Sequence, residues 1–168
     1  MDEIMKTLHM GGNTYAIKEF FIRDEQDEVA YTIEGGFLHL PREFKVLDRD
    51  GQQVAKITKK TFSLLPRFFV EVEGQDVLTI KKERSFLKAH YTIEGANIEV
   101  QGNWMDMQFE VLCKGEHIGR VKEHFVKGRR RYFIEIEDES KELILVAIVI
   151  AVDCVRVDHR LEEDLTHL

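Results

Sequence analysis

The chain has 168 residues, a net charge of −7, a pI near 5.5 and 43% hydrophobic residues. That length and composition describe one globular domain and exclude global disorder. The acidity disfavours a general nucleic-acid role, because duplex affinity is dominated by phosphate neutralisation.

Met1 to Lys6 shows no basic region followed by an apolar one, so no signal peptide is expected. Cys113 and Cys154 are the only cysteines, too few for a disulfide framework. Asn13, Asn97 and Asn103 all miss the glycosylation pattern. These features fit a reducing, cytoplasmic setting.

The next signal is a repeat. Tyr31-Thr32-Ile33-Glu34-Gly35 recurs unchanged at Tyr91-Thr92-Ile93-Glu94-Gly95. Phe44 to Leu47 parallels Phe109 to Leu112, Val54 to Ile57 parallels Ile118 to Val121, and Phe68 to Val72 parallels Tyr132 to Ile136. The offset moves from 60 to 65 and settles at 64, as expected of a duplication whose loops have changed length. Between Tyr15 and Ile136, apolar residues alternate with charged ones in short runs, the pattern of strands with one buried face. Glycines punctuate them, and Asp50-Gly51 between two such runs reads as a hairpin. Pro41 and Pro66 fall where a strand begins or a hairpin turns. About eleven or twelve antiparallel strands of this kind need a second sheet or a closed barrel to protect their edges.

Leu143 to Val152 is then apolar without a break. A membrane span needs about 20 such residues, and Glu142 and Asp153 bracket this run closely. Two readings stay open. Its Ile and Val content suits a buried strand. Asp138 or Ser140 as a cap suits a helix over about 140–155, roughly 24 Å long. A helix apolar on every side needs protein all round it. The residues beyond, 156–168, with Asp158-His159-Arg160 and Glu162-Glu163-Asp164, read as a solvent-exposed tail.

Two strand-rich copies, with Tyr91-Thr92-Ile93-Glu94-Gly95 leading into Asn97-Ile98-Glu99-Val100 and Gly102-Asn103, end in Leu143 to Asp153. This order resembles the LURP-one-related family of the tubby-like superfamily, which also includes the phospholipid scramblases. The resemblance runs from about Tyr15 to Val155. It implies a mainly β fold: one tubby-like domain over 1–168, an antiparallel β-barrel of about twelve strands enclosing a hydrophobic C-terminal α-helix. Repeat 1 would span about 15–83, repeat 2 about 86–138 and the helix about 140–155. The barrel would be plugged, so function is expected on its outer face or rims. The resemblance further implies a non-enzymatic binding or scaffold module for anionic phospholipid or phosphoinositide headgroups, peripheral to the membrane. Scramblase-like lipid transport, or a protein-interaction and stress-response role without lipid, are the alternatives.

The candidate phosphate- or lipid-binding residues are basic: Lys56, Lys59 and Lys60 in the first copy, and Arg120, Arg129, Arg130 and Arg131 in the second, with Lys122 and Lys127 nearby. Tubby domains resemble this at a strand where a lysine, and an arginine two residues later, hold a phosphoinositide. Lys56 matches the lysine, but Thr58 stands in the arginine's place. Overall acidity and the lack of interleaved aromatics disfavour a nucleic-acid contact at Gly128 to Tyr132.

No metal or cofactor is expected. Asp48-Arg49-Asp50-Gly51 brings its glycine too early for a calcium loop. The acidic group Glu135, Glu137, Asp138 and Glu139 lacks ligand spacing and reads as a strand edge before a helix start. Cys113, His117 and His124 share no ligand spacing. Gly-x-Ser-x-Gly, phosphate-cradling glycine loops and His-Glu-x-x-His are all missing, and the chain is not read as an enzyme. Cys154 is expected buried and inert. Trp104, beside Met105 and Met107, reads as a core anchor or a rim cover.

Overall fold

A computed structural model describes residues 4–11, 19–36, 43–62, 65–85, 88–95 and 97–166. Among them twelve strands precede one helix. The strands are β1 (Lys6–Gly11), β2 (Glu19–Arg23), β3 (Val29–Gly36), β4 (Glu43–Leu47), β5 (Gln53–Phe62), β6 (Leu65–Val72), β7 (Gln75–Ser85), β8 (Lys88–Glu94), β9 (Ile98–Asn103), β10 (Gln108–Cys113), β11 (Glu116–Val126) and β12 (Arg129–Ile136). The helix, α1, is Glu142–Thr166. Pro66 is the second residue of β6. Pro41 and the expected repeat boundaries at 15 and 86 lie outside the described residues.

The strands form one antiparallel sheet in the order β8-β7-β6-β5-β4-β3-β2-β1-β12-β11-β10-β9. Two meanders therefore meet at β1, which runs beside β12 from Lys6 opposite Ile136 to Gly11 opposite Arg131. The sheet curls into a nearly closed barrel around α1. Among the described residues no ladder joins β8 to β9. Side chains bridge that seam instead. Tyr91 of β8 stands edge-on to Trp104, which follows β9, with ring centroids 6.0 Å apart.

Alternation explains the barrel wall. Along β6, Pro66, Phe68, Val70 and Val72 are buried, while Arg67 between them is exposed. The plug is α1. All eight residues from Leu145 to Val152 have no exposed surface. They cover more than two helical turns, so no side of the helix meets water. Each Leu, Ile or Val side chain among them contributes roughly 1.5–3 kcal/mol when taken from water. A half-exposed strand or surface helix would forfeit much of that, which is why this run is a helix despite its β-branched content. Close approach is built in: a Cβ on Gly119 of β11 would lie 2.5 Å from Leu145 Cδ1 and 2.7 Å from the Glu135 carbonyl oxygen. Asp138 opens the approach to the helix, its Oδ1 accepting from the Ser140 N–H at 3.0 Å.

Two expectations need correction. The helix does not stop near 155; it continues to Thr166, and Asp158 is buried rather than part of a solvated tail. The charged residues past Val152 find partners inside the barrel, described below. The exact pentapeptide repeat also misplaces one strand. β9, not β8, flanks β10 as β3 flanks β4: Thr32 lies opposite Leu47, and Glu99 opposite Leu112. The two copies of the pentapeptide lie on strands that are not equivalent in the sheet, so their offset does not measure a change in loop length. Its two tyrosines nonetheless both grip α1. The Tyr31 hydroxyl donates to Glu142 at the helix start, and the Tyr91 ring lies 5.9 Å from that of His159.

Asp48 to Gln52 forms the expected β4–β5 turn, with Asp48 Oδ1 accepting from the N–H groups of Asp50 and Gln52, both at 2.9 Å. Its carboxylate is thus committed to the backbone. The β2–β3 turn repeats the device with Asp24, whose Oδ1 accepts from Gln26 at 2.9 Å and Glu28 at 3.0 Å. Arg49 ties the two turns together, donating to Asp24 Oδ2 at 2.7 Å. That guanidinium, with the backbone donors, holds the Asp24 carboxyl below its ordinary range.

Candidate functional site at the basic end of the barrel

Past Val152 the helix acquires charge without leaving the interior. Asp153, Arg156 and Asp158 are 4%, 7% and 5% exposed. Arg156 is satisfied on several sides. Its Nε donates to the Met105 carbonyl at 2.6 Å, and Nη1 donates to the Tyr132 hydroxyl. Nη2 lies 3.7 Å from Glu123 and Nη1 3.8 Å from Asp153. Asp158 forms an ion pair with Lys59 of β5. Lys82 of β7 is buried too, its Nζ 5.8 Å from the Tyr91 ring centre. Buried charges persist only when paired and hydrogen-bonded, so this layer fixes how far α1 slides into the barrel. Burial pushes the Cys154 thiol well up, with Asp153 adding to the effect, and a buried thiol of that kind is a poor nucleophile.

The layer also identifies the ends of the barrel. Lys59 reaches Asp158, while Glu123 reaches Arg156. The late part of β5 and the β11–β12 turn therefore lie at the same end, that of the C-terminal half of α1. All the expected basic residues except Lys56 and Arg120 belong to it.

They do not form one patch. Alternation splits β5, so Lys59 faces α1, whereas Lys56 and Lys60 face outward. Lys56 is 3.8 Å from Glu71. Lys60 is exposed, with Nζ 5.5 Å from the Phe69 ring centre. Arg120 is ion-paired to Glu135, which holds the guanidinium firmly charged, and Lys122 shares that carboxylate at 3.6 Å. Arg130 turns toward Glu123 at 3.3 Å, and Arg131 contacts His9 across the outer wall. Arg129 is exposed beside the β11–β12 turn. In the sheet, β4, β3, β2 and β1 separate β5 from β12. The two basic stretches thus share an end but occupy different walls.

Two cations missed in the sequence complete the first wall. Lys60 lies opposite Arg67 of β6, and Arg67 opposite Lys81 of β7. Three outward cations therefore sit in register on three adjacent strands, a row of roughly 10 Å at the usual interstrand spacing. Lys81 is 2.8 Å from Glu94. Like charges directly opposite are destabilising. Each cation looks ordinary in its own strand, and only the pairing register reveals the row.

A second outer feature is a groove of about 380 Å³ across β9, β10 and β11, bordered by Gln101, Gln108, Glu110, Arg120 and Lys122. Arg120 and Lys122 there are already drawn to Glu135. Nearby, His117 Nδ1 is 3.6 Å from Glu110, and Cys113 is half-buried at the end of β10. Among the described residues no cluster of three or more His, Cys, Asp or Glu side chains could hold a metal ion.

His9, on β1 next to Phe133, has its pKa lowered, by burial first and by the Arg131 cation second; Asp27 at 3.5 Å only partly opposes this. Below its ordinary value of 6.5 the unfolded chain binds a proton that the native chain resists. The stability contributed by neutral His9 is therefore present above that pH and lost as pH falls through it. Urea midpoints should drop more between pH 7.5 and 5.5 for the wild type than for His9→Gln. Equal drops would refute the assignment.

A twelve-stranded antiparallel barrel sheathing one C-terminal helix is the class that this geometry defines. The LURP-one-related family profile matches residues 6–153, and the chain belongs to that family. It is 30% identical over 154 residues to the uncharacterised protein YxjI of Bacillus subtilis (strain 168), covering 90% of this chain and 94% of YxjI. The X-ray structure of a protein from Arabidopsis thaliana shares the fold, with a TM-score of 0.52 over 88% of this chain and 92% of that one, at 15% identity. Among the described residues no helix is long and apolar enough to cross a membrane.

Proposed function

We propose that the chain is a non-enzymatic binding module that attaches peripherally to anionic phospholipid surfaces. The observation carrying this reading is the aligned row Lys60–Arg67–Lys81 on the outer wall. Three cations in cross-strand register concentrate positive charge on one wall, and a surface bearing phosphates would be drawn to it. The family's resemblance to tubby-like proteins supports the same ligand class. Phosphoinositide specificity of the tubby kind is not part of the proposal, because Thr58 replaces the second cation of that motif. Attraction here rests on charge density and is screened by salt.

The test is sedimentation with vesicles of phosphatidylcholine alone or mixed with phosphatidylserine. The wild type should pellet only with the anionic vesicles, and less so as salt rises. Near-surface cations contribute roughly 1 kcal/mol each, so Lys60→Glu, Arg67→Glu and Lys81→Glu together should weaken binding by at least about 100-fold. Absence of any preference for anionic vesicles at low salt would refute the reading, and a protein partner would then be the ligand to seek. Scramblase-like transport is less well supported. It requires α1 to leave the barrel, and the Arg156 and Asp158 pairs hold the helix in place.

A further inference from the structure

The β11–β12 hairpin outruns its neighbours. β10 pairs with β11 only as far as Val121, and β1 pairs with β12 only back to Arg131. Beyond those points, among the described residues, the two strands pair only with each other, through Phe125 opposite Arg130 and Val126 opposite Arg129. Lys127 and Gly128 close the ribbon, both with positive φ, at 52° and 77°. This is the two-residue turn that matches strand twist. Among the described residues the tip stands clear of the barrel by roughly 10 Å at strand rise.

Its chemistry is unlike the rest of the surface. Phe125 follows the inward phase of Val121 and Glu123, yet it is 67% exposed because the barrel has ended beneath it. Val126 is 40% exposed. Around these two lie Lys127, Arg129, Arg130 and Arg131, a local excess of positive charge on a chain of net charge −7. The Arg130 guanidinium stands 5.7 Å from the Phe125 ring centre. Among the described residues neither Lys127 nor Arg129 has an ion-pair partner.

We infer that this hairpin is a membrane anchor: Phe125 and Val126 enter the headgroup–acyl boundary of an anionic bilayer while Lys127 and Arg129 meet its phosphates. The inference rests on the peripheral-binding reading above and names the element that inserts. A convex apolar tip collared by cations complements an anionic interface, where an aromatic body gains by burial and the charges remain wet. The tip lies at the same end of the barrel as Lys60, Arg67 and Lys81, on a different wall.

The experiment uses the full chain and phosphatidylcholine–phosphatidylserine vesicles whose acyl chains carry bromine, with Phe125→Trp as reporter. That side chain is exposed, so the fold should be unaffected, and wild-type Trp104 supplies the background. On anionic vesicles the added fluorescence should shift to the blue and be quenched by bromine, whereas the Trp104 signal should not change. Phe125→Asp with Val126→Asp should lower vesicle partitioning by about tenfold or more and leave thermal unfolding unchanged. If Phe125→Trp pellets with anionic vesicles but is not quenched, attachment is real and the hairpin is not its anchor. If neither the wild type nor the variant pellets, the peripheral-binding reading itself fails and this inference with it. Binding that survives the double Asp variant undiminished would point to a protein-facing tip and would also overturn the anchor.

Discussion

Ile148→Asp should leave the chain without a native state. Ile148 has no exposed surface and lies inside the fully buried stretch from Leu145 to Val152. A carboxylate there would meet only apolar neighbours along its own helix and the barrel wall. Burying a charge without a partner costs more than a domain of about 5–15 kcal/mol stability can sustain, and protonation would still leave an unsatisfied polar group. The conservative series scales the effect: Ile148→Val should cost about 0.5–1.5 kcal/mol and Ile148→Ala about 2–5 kcal/mol. Urea unfolding followed by circular dichroism checks all three. The Asp variant is expected to show no cooperative transition. A cooperative transition within about 1 kcal/mol of the wild type would mean that the barrel does not enclose this residue.

The second large effect lies at the other half of the helix. Asp158→Ala removes the carboxylate that pairs with the Lys59 ammonium, whose side chain is only 10% exposed. Asp158 Oδ2 has no hydrogen-bond partner among the described residues, so the pair depends on the single contact through Oδ1. Removing one member of a buried pair typically costs about 3–5 kcal/mol, whereas replacing both by apolar groups of similar volume is often neutral. Asp158→Ala alone should therefore destabilise by about that amount, and Lys59→Met with Asp158→Leu should recover most of it. Equal losses in the single and double variants would show that the pair is not what positions this part of the helix.

These two results bear on how far the fold was legible. Leu143 to Val152 announced a plug because ten consecutive apolar residues leave no polar face, and that signal is local. Helix against strand could not be settled locally, and kinship resolved it. Arg156 and Asp158 look in the sequence like a departure into solvent because their partners are far away along the chain: Lys59, Met105, Glu123 and Tyr132. A linear reading sees the charge and not the counter-charge. The basic candidates show the same limit. That Lys59 and Lys60 must face opposite sides follows from strand alternation and was available in advance. The alignment of Lys60 with Arg67 and Lys81 was not, because it depends on ladder register across two hairpins. Phe125 is hidden in the sequence for a third reason. It sits in phase with core residues, and only where β10 and β1 stop shows that it has no core to join.

The ladder between β1 and β12 has a consequence for biosynthesis. During synthesis β1 must wait for β12 before its far edge is covered, and the greasy stopper emerges later still. Until then the nascent chain is an open trough lined with Leu8, Ile22, Ile33 and Val46, all of which end with no exposed surface. Such a trough invites aggregation and chaperone capture. Translation pauses late in the message should therefore lower the yield of native protein more than early ones.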